Sequence, residues 1–142
     1  MEIQTHIITK KKSTFKVNFS HFYIFFGPDN VGKKRMALDF SNLLLCDSLI
    51  EEGPCKNCEN CKKITSDNHF DIQIIDNNTP IEGSKDIKSD QIRIGHIHEI
   101  IRVANLGPFM SKYKIFIVDK AEKLNTEAVS YTHLTLPTTP YV

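Results

Sequence analysis

The chain carries no surplus of charge. Lys+Arg 18 against Asp+Glu 17 leaves a formal net charge of +1 over 142 residues. That excludes the general basic field with which many proteins hold nucleic acid, so any such contact must come from a local patch or a partner. Long apolar runs are missing too, since no stretch approaches the roughly 20 residues that a membrane span needs. A secretory leader is equally absent: "MEIQTHIITKKKSTF" places Lys10, Lys11 and Lys12 after its mildly apolar part, the reverse of the usual order. These absences imply a cytoplasmic protein with no membrane role. With 40% apolar residues the chain has the material for about one domain and a real core, and nothing in it suggests intrinsic disorder.

Cysteine is lacking everywhere except in one window, which holds all 4 as Cys46, Cys55, Cys58 and Cys61 around "PCKNCENC". Disulfides are rare in a reducing cytosol, whereas four thiolates with two-residue spacers can converge on one tetrahedral ion. The spacers "KN" and "EN" are polar and turn-forming, which lets the backbone fold round an ion. The expectation is a structural zinc module at 46–61, closed by four sulfurs and therefore not catalytic. His69, just beyond, is expected to be an ordinary polar residue at a strand entrance.

A third absence concerns one hydroxyl. "GPDNVGKK" sets Gly27, Gly32 and Lys33 at the G-x-x-x-x-G-K spacing of a phosphate-binding loop, with Pro28, Asp29, Asn30 and Val31 between them. The next residue is Lys34, where such a loop normally has the Ser or Thr that ligates magnesium. A bare match of this spacing arises by chance about one time in twenty in a chain this long. Its context argues against chance. "HFYIFFG", His21 to Gly27, has the aromatic and β-branched character of a buried strand, and Met36, Ala37, Phe40, Leu43 and Leu44 recur at helical spacing to about Cys46. Strand, glycine loop and helix is the setting a phosphate loop requires.

Further on, "FDIQIID", Phe70 to Asp76, is a second strand candidate. A polar loop with Pro80 and Gly83 follows, with Ser89 or Asp90 as the expected helix cap. Ile94, Ile97, Ile101 and Ala104 then mark one face of a helix that should stop before Gly107 and Pro108. "KYKIFIVD", Lys112 to Asp119, is the clearest strand, and an apolar strand ending in Asp is the Walker B pattern, whose carboxylate helps hold magnesium beside the phosphate loop. The expected fold class is therefore α/β, a parallel sheet of the P-loop NTPase kind.

In that order, "SHFYIFFGPDNVGK", the four-cysteine insertion after the loop's helix, "NHFDIQII", "IKSDQIRIGHIHEII" and "KYKIFIVDKAEKLNTEA" resemble segments of the bacterial clamp-loader AAA+ subunits of DNA polymerase III. The resemblance covers about Ser20 to Ala128. The zinc module is its specific signature, because the Walker motifs alone would fit many ATPases. The chain looks most like the delta-prime type, with the gamma/tau type as close kin. The resemblance implies a part in DNA replication, within the complex that loads the sliding clamp onto primed DNA. Its partners there would be gamma/tau and delta subunits, with the clamp and DNA met through the complex.

Departures from the pattern bear on chemistry. In gamma/tau subunits Thr follows the loop lysine and Glu follows the Walker B Asp, whereas this chain has Lys34 and Lys120 at those positions. Lys34 cannot ligate magnesium, and Lys120 cannot act as a carboxylate base. Glu122 is a poor substitute if the chain turns after Asp119. The resemblance then implies a non-catalytic subunit; residual nucleotide binding stays open and turnover is not expected. The Ser-Arg-Cys motif through which delta-prime lends an arginine finger is not found in this sequence. Two other readings remain: an ATP-hydrolysing subunit of the gamma/tau type, and a zinc-dependent nucleic-acid-binding module. "PCKNCENC" has few cations and no aromatic platform, which ranks the last one lowest.

After Ala128 the helical pattern fails. "VSYTHLTLPTTPYV", Val129 to Val142, has no helical period, and its back-translation matches a sequencing-library adaptor read through as protein. The expected division is a partial AAA+ domain over 1–128 and a non-native tail over 129–142. A parallel sheet cut after its Walker B strand is expected to leave a large apolar face bare. Reading the source locus across the codons for Asn125 to Leu134 tests the tail: a different native continuation is expected, and unchanged codons would refute the adaptor origin.

Overall fold

The computed structural model describes residues 22–83 and 90–128. The expected non-native tail, 129–142, and Ser89 lie outside the described residues. Among the described residues the elements follow in the order α1 (Lys33–Leu45), α2 (Glu59–Thr65), β1 (Ile72–Ile75), α3 (Ile94–Ala104) and β2 (Ile115–Val118), with a 3-10 turn at Ala121–Lys123. No helix among the described residues is long and apolar enough to cross a membrane.

β1 and β2 pair in parallel, with Ile72 opposite Ile115 and Ile75 opposite Val118. Within "IQII" and "IFIV" the buried members are Ile75 and Ile117, the other residues being half-buried. α3 supplies the connection between the two strands. Ile97 and Ile100 on α3 pack with Ile75 and Ala128, and Phe116, Val118 and Leu124 close round them. A single parallel bridge, Ile92 with Leu124, ties the entrance of α3 to the chain beyond β2, through Ile92 N–H to the Lys123 carbonyl (2.8 Å).

One buried charge positions the sheet. Asp71, just before β1, is fully buried. Its carboxylate accepts the backbone N–H groups of Phe109, Met110 (2.8 Å) and Ser111 (2.9 Å), and the Ser111 hydroxyl (2.7 Å). Burial acts to raise the Asp71 carboxyl, but these donors outweigh it and hold it below the ordinary carboxylate range. The same residue's carbonyl accepts Ile115 N–H at 2.7 Å, so the side chain fixes the loop and the main chain starts the ladder.

Several expectations are corrected. His21–Gly27 was expected as a buried strand, yet among the described residues 22–27 no strand forms. Phe22, Ile24 and Phe26 are 61%, 64% and 72% exposed. Tyr23 and Phe25 instead lean on Phe40 of α1, with ring centroids 4.7 and 6.2 Å away. The segment keeps the period of a strand, but the described sheet consists of β1 and β2 alone and gives it no ladder. The other two strands are shorter than the segments expected: β1 takes Ile72–Ile75 out of Phe70–Asp76, and β2 takes Ile115–Val118, the four consecutive apolar residues of Lys112–Asp119. Asp90 does not cap α3. Arg93 is the N-cap, and its N–H is accepted by Nδ1 of His96 (3.0 Å).

Replacing Asp71 with Ala removes the buried acceptor of three backbone N–H donors and is expected to cost about 3–5 kcal/mol of stability. Denaturant unfolding of the intact protein measures it. Because the folded-state value is depressed, this carboxylate contributes its stability above the unfolded pKa of about 4. The contribution is lost as pH falls through the folded value, so wild type and Asp71→Asn should converge in acid.

Candidate functional site

The glycine loop enters α1 through two left-handed residues. Asn30 has φ 60°, and Gly32, the helix N-cap, has φ 87°. A Cβ at Gly32 would meet nothing within 4 Å, so glycine is required there by the backbone angle, not by lack of space. Gly27, Pro28, Asp29, Asn30, Val31 and Gly32 all lie exposed at the surface.

No acidic residue stands in the first turn of α1, and Lys33, Lys34 and Arg35 crowd its positive end. Each finds a partner within the chain. Lys33 Nζ donates to the carbonyls of Gly27 (2.8 Å) and Pro28 (3.2 Å), with Asp29 Oδ1 at 3.9 Å. Lys34 Nζ lies 3.6 Å from Asp119 Oδ2, and Arg35 Nε 3.2 Å from Asp39 Oδ1. The cations that a phosphate loop would turn on its ligand are thus already engaged.

Asp119 stands just past β2, and its N–H donates to the Ile75 carbonyl at 2.8 Å. That bond brings in a residue missed in the sequence, Asp76, which ends β1 as Asp119 ends β2. Burial acts to raise its carboxyl; the Thr79 hydroxyl, the N–H groups of Asn78 and Thr79 and the charge of Lys34 lower it by more. The signal was present in "FDIQIID", a second apolar strand ending in acid. After Asp119 the chain turns: Lys120 has φ 56° and the 3-10 turn begins at Ala121. Glu122 is exposed on that turn and makes no described contact with Asp119.

The four cysteines come together at the end of α1 and the start of α2. Their Sγ atoms all lie within 4.8 Å of one another, and Cys55 and Cys61 are 4.0 Å apart. Metal–sulfur bonds of about 2.3 Å set S···S edges of about 3.8 Å in a tetrahedron, so the set could hold such an ion with slight contraction. Backbone N–H groups of Cys55, Cys58 and Cys61 donate to the sulfurs of Cys46, Cys55 and Cys58 at 3.3, 3.3 and 3.4 Å. The N–H groups of Cys58 and Asn57 lower the Cys55 thiol to about 6, favouring the thiolate, while burial pushes the Cys61 thiol up.

His69 is not among the clustered ligands. It is buried, its Nε2 is 2.8 Å from Asn60 Oδ1, and its Nδ1 accepts Asp71 N–H at 3.0 Å. Because Nδ1 accepts, Nε2 carries the proton and donates to Asn60. Burial lowers the His69 pKa, which favours this neutral form. Asn60 in turn donates to Asp47 Oδ1 at 3.1 Å. A polar chain thereby links the cysteine cluster to Asp71, and single-sequence patterns gave no sign of it.

Residues 3–130 match a family model described as DNA polymerase III, delta subunit. The chain is 28% identical over 138 residues to the DNA polymerase III subunit tau/gamma of Haemophilus influenzae, covering 96% of this chain and 18% of that protein. It is 27% identical over 115 residues to subunit delta' of Pseudomonas aeruginosa, covering 81% and 33%. Subunit delta' of Bacillus subtilis is 30% identical over 117 residues, covering 81% and 32%. The chain thus spans a third or less of the length of these curated relatives.

Metal analysis of the purified protein is expected to find one tightly held divalent ion per chain. Cys58→Ser should lower that content and the melting temperature together; full retention of both would count against the four-sulfur site.

Proposed function

We propose, from the premise that the chain belongs to the DNA polymerase III delta-subunit family, that it is part of a clamp-loader subunit of the delta-prime type. In that role it helps place a sliding clamp on primed DNA, acting with gamma/tau and delta subunits and not hydrolysing ATP itself. The four cysteines hold a structural zinc, which staples α1 to α2 and takes no part in chemistry.

The observation that carries this reading is the ion pair between Lys34 and Asp119 at 3.6 Å. Hydrolysis of a nucleoside triphosphate needs a metal between the loop and the Walker B acid, and a base or water-orienting group beside it. At the first position this chain has a lysine that spends its charge on the acid. At the second, Lys120 is exposed on a left-handed turn, and Glu122 lies beyond it. The glycine loop enters α1 through left-handed Asn30 and Gly32, which supports the reading that an adenine nucleotide could still dock there without being turned over.

A gamma/tau-type ATPase is the second reading, favoured by the tau/gamma relative, whose 28% identity falls between the 27% and 30% of the two delta' relatives. The intact full-length protein, purified alone, separates the two. Its ATP turnover is expected to stay at background and to be indifferent to Lys33→Ala. Turnover that Lys33→Ala abolishes would replace this proposal with the ATPase.

A further inference from the structure

We propose that Lys34 is a built-in counter-ion for the strand-end carboxylate of Asp119, beside Asp76, and that it stands electrostatically where a phosphate loop would keep a divalent metal. The inference rests on the reading of Gly27–Lys34 as a phosphate loop that has lost its hydrolytic chemistry. It deepens that reading by assigning the loss to one cation.

Three observations support it. First, the register of the parallel ladder sets Asp76 and Asp119 side by side: Ile75 pairs with Val118, and Asp119 N–H donates back to the Ile75 carbonyl. Carboxylates at neighbouring strand ends repel, and such a pair ordinarily invites a cation. Second, the cation present is Lys34, whose Nζ lies 3.6 Å from Asp119 Oδ2 and whose charge also acts on Asp76. Third, Lys34 is the residue at which the loop spacing calls for a hydroxyl ligand to magnesium. One substitution therefore removes a metal ligand and delivers a positive charge to the carboxylate that the metal would have used. Asp76 needs less help, because Asn78 N–H (2.9 Å) and the Thr79 hydroxyl (3.0 Å) already donate to its Oδ1.

The pair is partly open to water, with side chains 47% and 24% exposed. Its contribution to global stability is accordingly small, as for other exposed pairs. Its effect is local and competitive: a hydrated divalent ion must displace a tethered ammonium whose effective concentration is high. Lys33 cannot substitute for it, being held by the Gly27 and Pro28 carbonyls.

The test needs no nucleotide, so its outcome is separable from the ATPase question. Manganese binding to the intact protein is followed by the loss of the free-ion electron paramagnetic resonance signal, with zinc left in place. Wild type is expected to show no binding that depends on Asp119. Lys34→Thr should bind manganese about tenfold or more tightly, and Lys34→Thr with Asp119→Asn should lose the gain. As a second measurement, magnesium chloride should raise the melting temperature of Lys34→Thr more than sodium chloride of equal ionic strength, and leave wild type indifferent. Lys34→Met, which removes the charge without adding a ligand, covers the case in which the Thr variant fails to fold and should show a smaller gain. Manganese binding in wild type that Asp119→Asn abolishes would overturn the proposal. So would a Lys34→Thr gain that survives Asp119→Asn, or the absence of any gain in both Lys34 variants. ATP hydrolysis by the wild type would instead overturn the reading of the loop, whatever the manganese result.

Discussion

Three consecutive backbone N–H groups, those of Phe109, Met110 and Ser111, converge on the buried carboxylate of Asp71, and that convergence fixes where β2 begins beside β1. A full charge out of water is tolerable only when its lone pairs are answered, and here four donors answer it. The loop after α3 must therefore adopt one shape, and the register of the ladder follows from it. Asp71 also meets His69, which reaches Asn60, which reaches Asp47. The cysteine cluster and the sheet are thereby joined by one contiguous set of buried polar contacts. Asn60, His69 and Asp71 sit between them, all buried, each with a partner.

At the other end of the sheet, charge is arranged for self-sufficiency. Lysines and an arginine gathered at a helix N-terminus oppose the helix dipole and one another. The fold accepts them because each is answered locally, by loop carbonyls, by a strand-end acid, or by Asp39 one turn along α1. Site chemistry in such folds depends on charges left unanswered until a ligand arrives. Here the same residues have their partners already in place.

Much of this was legible in the sequence, for identifiable reasons. α1 and α3 follow from apolar residues at helical spacing, and β1 and β2 from β-branched runs, because those periods are imposed by the backbone itself. The cysteine cluster was readable from spacing, since two-residue spacers allow little else. The strand expected at His21–Gly27 was misjudged because a strand depends on neighbours, and hydropathy says nothing about whether neighbours are present. The cap of α3 was misplaced because His96, an unusual capping residue, offers a ring nitrogen where Ser89 or Asp90 promised a side-chain oxygen. Asp71, Asn60 and Asp76 went unnoticed because polar residues earn meaning only through contacts far along the chain; Phe109 is 38 positions from Asp71.

The posture of Lys33 carries a further consequence for any anion that comes to the loop. Its ammonium is not waiting in solvent but folded back onto the Gly27 and Pro28 carbonyls. An incoming phosphate must first draw the side chain off these acceptors, and the apparent affinity falls by the fraction of time the lysine spends released. The loop then resembles a latch at rest, holding its shape by gripping itself, and its grip on itself is strongest when nothing else is there to hold.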